Sequence, residues 1–258
     1  MQFPIRQLVR RLFLLRFAGY SGEPFNPRTQ AAFEEGTLPP PYLMYLVAGS
    51  TDANWFIDSG RFALEAMETS LRRVGADLDQ FSTVLDFGCG SGRVIRHLRS
   101  RSKLVLHGCD YNRTLVAWCR RHLSFAAFQV NHPNPPLAYI DRQFDLVYAF
   151  SVFTHLGVER QVAWLAELRR ILRPGGYLIA STSGDGYFEK LDSEQRRRYL
   201  AGEIVITLDG RQGKNDCAAY HSEKAFRSLV EDMFTVEDLA PKGALGNPVQ
   251  DLWLCRRR

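Results

Sequence analysis

Short apolar runs alternate with amphipathic stretches over the middle of the chain. The apolar runs predict strands at 83–87, 104–109, 144–150 and 177–181. The stretches between and around them predict helices at 93–99, 115–123 and 158–172. Strands that are apolar on both faces and alternate with helices are typical of a parallel sheet that helices cover on both sides. The pattern therefore predicts an α/β fold.

The N-terminal part of the chain follows other patterns. Residues 5–17 place apolar side chains on one helical face and arginines on the other, which predicts a helix that caps the main domain or lies on a membrane surface. Residues 18–41 are rich in glycine, proline and asparagine and predict an irregular segment. A helix is predicted over about 50–74, with Gly75 ending it. We expect residues 1–75 to form an N-terminal helical cap or substrate lid.

The C-terminal part begins with a polar stretch that contains many glycines. This stretch, residues 184–217, predicts an irregular insertion with a possible strand at 204–208. The remaining patterns predict a helix at 222–233 and two closing strands at 234–238 and 249–255. We therefore expect one domain over residues 76–258 with an insertion at about 184–219.

The most informative segment joins the first predicted strand to the helix that follows. It reads Asp86-Phe87-Gly88-Cys89-Gly90-Ser91-Gly92, so three alternating glycines follow an acidic strand end. Glycine lets the backbone turn tightly and lets a ligand approach the main chain. Free N–H groups at the start of the next helix would face that ligand. Asp110, at the end of the second strand, is placed to accept hydrogen bonds from ribose hydroxyls.

Two nucleotide cofactors compete for such a turn. A dinucleotide site prefers G-x-G-x-x-G, and that alignment puts Arg93 where the third glycine is needed for close helix packing. The spacing here is G-x-G-x-G instead, and Asp86 precedes it. An acidic strand end suits a cofactor that has an amino group and no pyrophosphate. The turn therefore favours S-adenosylmethionine, which has an amine, a ribose and an adenine.

Four blocks, taken together and in order, resemble the class I S-adenosylmethionine-dependent methyltransferases. They are VLDFGCGSGR at 84–93, GCDYN at 108–112, FDLVYAFSVFTHL at 144–156 and LRRILRPGGYLIAS at 168–181. The last two blocks look like those of a bacterial small-molecule or saccharide-associated group. The resemblance implies a Rossmann-like fold with a mostly parallel seven-stranded sheet, and an enzyme that moves a methyl group from S-adenosylmethionine.

The resemblance also implies a role for the glycine turn. The residues that would surround the methionine part of the cofactor are Gly88, Cys89, Gly90 and Gly92. Asp86 would lie near the cofactor amine, through water or backbone groups. The Cys89 side chain itself is expected to be a small packed group and not a nucleophile.

Four further residues would bind the cofactor if the resemblance holds. Asp110 would bind both ribose hydroxyls, and Tyr111 would lie against the adenine, although ordinary packing is the alternative for Tyr111. Asn131 falls where many relatives have an acidic residue that accepts from the adenine amine, and asparagine keeps an acceptor. An Asx turn is the alternative for Asn131. Ser151 would offer its carbonyl oxygen to the cofactor amine.

Candidate proton acceptors are two histidines. A hydroxyl acceptor often needs a general base, a carboxylate needs none, and an amine must be neutral. His155 follows the strand whose end faces the cofactor, where clefts open in such sheets. His221 stands just before the late helix and could also reach a pocket. For both residues a structural role is the alternative.

Charge and cysteine content narrow the classes of protein. The formal net charge is +5, with 33 basic and 28 acidic residues, and the arginines are dense between residues 93 and 121. Such a face suits an anionic substrate or surface but does not by itself indicate nucleic acid. The 5 cysteines form no C-x-x-C pair, which argues against a disulfide framework and a metal site and favours the cytoplasm. No apolar run is long enough for a transmembrane helix.

Taken together, these patterns predict methyl transfer to a small molecule, at a sugar, hydroxyl or carboxylate oxygen. One alternative is a methyltransferase that acts on nitrogen or on a macromolecule such as RNA or protein, although no appended RNA-binding module is present. The other alternative is a non-catalytic regulatory protein that binds the cofactor. The oligomeric state cannot be inferred, and weak membrane contact through residues 1–17 stays open.

Overall fold

The computed structural model of the protein describes residues 19–208, Gly210, Gly213, 217–247 and 249–258. The helix predicted at 5–17, with its cap or membrane role, lies outside these residues. Among the described helices, none combines the length and the apolar character that crossing a membrane requires.

The helices and strands alternate through the central part of the chain. The helices of the described part are α1 (Pro27–Glu34), α2 (Pro41–Ala48), α3 (Ala53–Arg73), α4 (Arg113–His122), α5 (Val158–Ile171), α6 (Ser193–Ala201) and α7 (Glu223–Val230). The strands are β1 (Thr83–Phe87), β2 (Val105–Asp110), β3 (Ala127–Val130), β4 (Phe144–Ala149), β5 (Leu172–Thr182), β6 (Val205–Thr207), β7 (Ala218–Tyr220), β8 (Phe234–Ala240) and β9 (Asp251–Arg257).

Seven strands form one sheet in the order β3-β2-β1-β4-β5-β9-β8. The first five strands in this order are parallel, and β9 runs antiparallel to both of its neighbours. Because Thr182 pairs with Asp251, β9 begins at the edge where the parallel strands end, and β8 ends there too. This arrangement confirms the predicted Rossmann-like α/β fold. It also brings every loop that carries a candidate site residue to one edge of the sheet.

Helices cover both faces of this sheet. On one face α3 and α4 bury Met67, Leu71 and Val116 in one apolar cluster with strand residues such as Val84. On the other face α5 and α7 bury a second cluster with the remaining strand side chains. α3 comes unusually close to the chain after the glycine turn, since a Cβ at Gly60 would lie 1.9 Å from the carbonyl oxygen of Arg93.

The helix predicted at 93–99 is the main error in the sheet region. The chain forms a short 3-10 helix at Ile95–Leu98 instead. The buried Arg96 side chain folds back on this turn and donates to the carbonyl oxygens of Ser91 and Gly92 at 3.0 and 2.8 Å. It also donates to the Thr37 carbonyl oxygen at 2.8 Å, so a contact with a distant segment accompanies the tighter helix.

The segment predicted to be irregular, residues 18–41, contains α1, and α2 follows it. Asn26 caps α1 by accepting from the Thr29 N–H, and a proline occupies the first position of the helix. α2 also begins with a proline, Pro41, and ends at Gly49 in the left-handed region. Proline at the start and glycine past the end are ordinary helix boundaries, so the proline-rich sequence hid two short helices.

The insertion is more ordered than predicted. α6 begins at a capping box formed by Asp192 and Gln195, and β6 pairs with β7 in a separate two-stranded sheet. The strand predicted at 204–208 is therefore confirmed as β6. Tyr199 ties α6 down, since its hydroxyl contacts the Asp185 carboxylate at 2.7 Å and the His221 carbonyl at 3.1 Å.

We expect Gly60→Ala to destabilise the fold. In an exposed helix this change stabilises by about 1 kcal/mol, because glycine is a poor helix former. Here the added methyl group meets backbone at 1.9 Å, and overpacking of this kind costs about 1–3 kcal/mol. Urea unfolding followed by circular dichroism measures the difference. Gly19→Ala, where no atom lies within 4 Å, is the matched control, and a stabilised Gly60→Ala variant would contradict the packing described here.

Candidate functional site

The glycine turn is fastened to the neighbouring strand by its backbone. The N–H groups of Gly88 and Cys89 both donate to the carbonyl oxygen of Cys109, at 2.8 and 3.0 Å. Gly88, Gly90 and Gly92 all have positive φ, at 80°, 55° and 74°. L-residues with side chains rarely adopt this conformation. The three glycines are therefore required by the turn itself.

Each glycine also faces a close neighbour. A Cβ would lie 2.5 Å from Val152 at Gly88, 2.7 Å from Val47 at Gly90 and 2.4 Å from Leu123 at Gly92. Val47 belongs to α2 and Val152 to the chain after β4, so these two side chains bound the open side of the turn. We call the turn with these two side chains packed against it the glycine cradle.

Asp110 lies at the end of β2, beside this turn. The Gly90 N–H donates to its Oδ2 at 2.9 Å, and the Asn112 N–H donates to Oδ1 at 2.8 Å. Burial raises its pKa, although both backbone donors oppose that effect. A carboxylate oxygen can accept more than one hydrogen bond, so Asp110 keeps acceptor capacity for two hydroxyl groups.

Asp86 lies beneath the turn, with 4% of its surface exposed. Burial raises the pKa of this carboxyl to about 7, although Tyr148 and Arg93 favour its charged form. The position suits the expected indirect link to a ligand amine, because backbone of the turn covers the carboxyl. Cys89 is equally buried and packs as a small side chain beside Cys119.

Tyr111 and Asn131 line a cavity of about 710 Å³ next to the ends of β2 and β3. Tyr111 is 46% exposed, and its hydroxyl donates to the Gly213 carbonyl of the insertion at 2.5 Å. The Asn131 N–H donates to the Asp110 carbonyl at 3.1 Å. Its side-chain Oδ1 is enclosed and accepts no hydrogen bond from the described residues. An enclosed acceptor of this kind matches the amine of an adenine ring.

Ser151, at the end of β4, is held by a network of polar side chains. Its φ is 57°, in the left-handed region, and its N–H donates to Ser181 Oγ at 2.7 Å. The side-chain amides of Asn247 and Gln250 donate to Ser151 Oγ at 2.8 and 2.7 Å. These contacts fix an unusual backbone conformation, and with it the direction of the Ser151 carbonyl.

His155 lies above the same strand end and is half-buried. Its Nδ1 is 2.7 Å from the carbonyl oxygen of Cys217. The Gly213 N–H donates to the backbone carbonyl of His155 at 2.7 Å. A carbonyl only accepts, so Nδ1 carries a ring proton. In a neutral ring, Nε2 would therefore be the nitrogen that accepts a proton.

His221 occupies a different environment from the one expected. It is fully buried, and its Nε2 lies 2.9 Å from Gln161 Oε1. The Gln161 amide nitrogen donates to the carbonyls of Phe153 and Leu156, so Oε1 is the acceptor and His221 the donor. Burial lowers the pKa of His221 to about 3, which keeps the ring neutral. His221 thus braces the loop after β4 and does not reach a pocket.

Arg93 is a site residue whose role the sequence did not indicate. Its guanidinium is 8% exposed and donates to Ser59 Oγ, to the Gly246 carbonyl and to Asn247 Oδ1. Burial lowers its pKa to about 10, so it stays charged at neutral pH. The arginine immediately after the last glycine was the only signal, and its partners are distant in sequence.

These features fit S-adenosylmethionine. The glycine cradle excludes any Cβ, Asp110 can accept from two ribose hydroxyls, and the enclosed Asn131 Oδ1 offers an acceptor beside Tyr111. Within the described part of the chain, no three histidine, cysteine, aspartate or glutamate side chains form a group that could hold a metal ion. The five cysteines are buried and free.

We expect the pH dependence of stability to reveal Asp86. Its folded pKa, about 7, exceeds the model-compound value of 3.8, so the folded protein retains a proton that the unfolded chain has lost. Buried His221, whose pKa is lowered to about 3, contributes a slope of the opposite sign. The Asp86 contribution to stability falls as pH rises through this interval, by up to roughly 1.4 kcal/mol per pH unit. Asp86→Asn removes this slope, whereas Asp232→Asn, at an exposed acid, keeps it. Urea unfolding between pH 4.5 and pH 7.5 measures both, and parallel curves for all three proteins would contradict the assignment.

Part of the chain matches known proteins. A family model described as "Methyltransferase domain" matches residues 85–180. The chain is 32% identical over 154 residues to a tRNA (carboxymethyluridine(34)-5-O)-methyltransferase of Macaca fascicularis, which covers 59% of this chain and 21% of that protein. It is 26% identical over 169 residues to a malonyl-[acyl-carrier protein] O-methyltransferase of Halalkalibacterium halodurans, which covers 60% of this chain and 56% of that protein. The chain thus spans at most about half the length of these relatives.

A solved structure shows the same fold over nearly the whole chain. It is the 1,6-didemethyltoxoflavin-N1-methyltransferase of Burkholderia thailandensis with bound S-adenosylhomocysteine, at a TM-score of 0.56 and 16% identity. The match covers 92% of each chain. Residues 85–180 thus match a methyltransferase domain, and the described chain has the fold of the class I, S-adenosylmethionine-dependent methyltransferases.

Proposed function

We propose that the protein transfers the methyl group of S-adenosylmethionine to an oxygen atom of a small-molecule acceptor. The observation that carries the proposal is the glycine turn fastened to Asp110, which joins a backbone cradle to an acceptor for ribose hydroxyls. The two O-methyltransferases among the relatives support oxygen as the receiving atom. The match to a methyltransferase domain favours an enzyme over a regulatory protein.

The residues of the chain bind and orient in this proposal. When bound, S-adenosylmethionine supplies a methyl group that its sulfonium has already activated. The glycine turn and the Ser151 carbonyl hold the methionine part, Asp110 holds the ribose, and Asn131 and Tyr111 hold the adenine. Alignment and exclusion of water are then the main contributions of the protein to the rate.

A carboxylate oxygen is the acceptor that needs least from these residues. A carboxylate is already ionised and requires no base, whereas a hydroxyl group must lose its proton. His221 is fully buried, so only His155 is placed to accept a proton. We propose His155 as the base if the acceptor is a hydroxyl group, and as a wall of the acceptor site otherwise.

Two structural segments complete the proposal. Residues 1–75 would act as a cap over the acceptor site, since Val47 of α2 already lies against Gly90. The insertion at 184–219 would close the other side, since Gly213 contacts both Tyr111 and His155. A cytoplasmic location agrees with five free thiols.

RNA is the second candidate acceptor, and one observation favours it. Arg113, Arg120 and His132 line the cavity beside Tyr111, where phosphate groups of a bound strand could be neutralised. A methyl-transfer assay with unmodified tRNA at low and moderate salt tests this alternative. Turnover that falls steeply with salt would favour RNA over a small molecule.

We expect S-adenosylmethionine and S-adenosylhomocysteine to bind the wild type in a calorimetric titration. Asp110→Ala should weaken both by about tenfold to a hundredfold, because hydrogen bonds to a charged group contribute about 1.5–3 kcal/mol. Asp232→Ala, at an exposed acid away from the site, should bind like the wild type. Circular dichroism checks that each variant is folded. A folded wild type that binds neither ligand would contradict the proposed function.

We expect His155→Asn to separate the two kinds of oxygen acceptor. The asparagine amide can still donate to the Cys217 carbonyl, but it cannot accept a proton. With a carboxylate the turnover number should change by no more than about threefold, and with a hydroxyl it should fall by about 10²–10⁴-fold. Initial rates of S-adenosylhomocysteine formation measure both. His122→Asn, at a ring that contacts the Gly36 carbonyl, is the control, and an equal loss with both acceptors would indicate a structural role.

A further inference from the structure

A second cavity, of about 250 Å³, lies between the first half of α3 and the loop that joins β8 to β9. Because β8 ends and β9 begins where the parallel strands end, this loop stands at the same sheet edge as the glycine turn. We call this space the acceptor cavity. It is smaller than the roughly 300–1,000 Å³ of sites that hold a whole ligand, so it suits one part of a molecule.

The walls of the acceptor cavity are mostly apolar. Trp55 and Phe62 from α3 face Leu245 and Val249 from the loop. Phe62, Leu245 and Val249 are 39%, 50% and 39% exposed, so three large apolar side chains meet solvent at one place. Grouped exposure of this kind marks binding sites for apolar groups.

The floor of the acceptor cavity is joined to the cofactor site. Ser59, Gly246 and Asn247 line the cavity, and all three accept hydrogen bonds from the Arg93 guanidinium. Arg93 directly follows the glycine turn in sequence. Asn247 in addition donates to Ser151 Oγ at 2.8 Å. Arg93 therefore links the floor of the cavity to the glycine turn, and Asn247 links it to the end of β4.

The charges around the acceptor cavity favour an anion. Asp58 is compensated, since Arg28 lies 3.2 Å from its carboxylate and Asn26 donates to it at 2.8 Å. Lys242 lines the cavity, and its charge interacts with the Asp251 carboxyl, which also accepts from the Lys242 backbone N–H at 2.8 Å. The buried guanidinium of Arg93, which supports the floor, interacts with the Asp86 carboxyl. The cavity is thus apolar along its walls and positive at its edges.

We propose that the acceptor cavity binds the aliphatic tail of a carboxylic acid, and that the carboxylate of this acid is the methyl acceptor. The proposal rests on the proposed function and names its substrate class. The carboxylate oxygen forms a bond to the methyl carbon as the bond from that carbon to the sulfonium sulfur breaks. The sulfur keeps the electron pair, so the products are a methyl ester and a neutral thioether, and no proton moves.

Chain length gives the first test. Straight-chain acids from acetic to decanoic, each beside the alcohol of equal length, are assayed for S-adenosylhomocysteine formation. The acids should turn over, and kcat/KM should rise about fourfold per methylene until the cavity is full, since one buried methylene contributes about 0.8 kcal/mol. A kcat/KM for the acids that does not depend on chain length, or turnover of the alcohols alone, would overturn the proposal.

Variants at the wall and the edge of the cavity give the second test. Leu245→Trp should fill the space, so that KM for octanoate rises about tenfold while KM for acetate and the affinity for S-adenosylmethionine stay unchanged. Leu200→Trp, at a leucine that is 72% exposed on α6, is the matched control. Lys242→Met should raise KM for the acids about threefold, whereas Lys103→Met, at an exposed lysine before β2, should not. Equal effects of variant and control would contradict the assignment.

Binding without turnover distinguishes failure of this inference from failure of the proposed function. A bromo-octanoate should quench the fluorescence of Trp55, and Trp55→Phe should remove that part of the quenching. Quenching without any methyl transfer would retain the cavity assignment and overturn the reaction. Calorimetric binding of S-adenosylmethionine with no quenching by the acid, or with turnover of tRNA alone, would overturn the cavity assignment and leave the cofactor site in place.

Discussion

The structure of the site depends on how the glycine turn is fastened to β2. The Cys109 carbonyl accepts two N–H groups of the turn, and the Asp110 carboxylate accepts a third from Gly90. The turn can make these contacts only with positive φ at its glycines, and only with no Cβ between it and Val47 or Val152. A ligand therefore meets backbone at a fixed distance from an acidic group. This arrangement requires β1 and β2 to lie side by side and α2 to pack against the turn.

Two buried ionisable groups, Asp86 and Arg93, lie under the turn. Their mutual attraction offsets only part of the effect of burial on each pKa. Burial raises the pKa of Asp86 to about 7 and lowers that of Arg93 to about 10. Each group favours the charged form of the other. The hydrogen bonds of the Arg93 guanidinium, however, go to neutral acceptors at Ser59, Gly246 and Asn247. Breaking that set would leave a buried charge unsatisfied, which is costly. The hydrogen bonds of Arg93 thus hold the site together, although apolar side chains of similar volume could stabilise the fold as well.

Local sequence patterns predicted those features whose conformation depends on a single segment of the chain. The strand, the three glycines and Asp110 are of this kind, because a positive φ and a strand end are local properties. The helix predicted at 93–99 is a short 3-10 helix instead, in which the buried Arg96 side chain donates to the carbonyl oxygen of the distant Thr37. His221 differed from expectation for a related reason, since Gln161 on another helix encloses it. Contacts between distant segments decided both cases, and no local pattern contains them.

The same reasoning explains why the acceptor side was the least predictable part. Its walls come from α3 and from the loop before β9, and only the fold brings them together. Arg93 joins them, since it bonds to both segments while its own backbone continues the glycine turn. The side chain that stabilises the end of the cofactor loop also forms the support of the cavity. If this cavity holds the acceptor as proposed, a change at Arg93 should therefore alter both the cavity and the end of the glycine turn.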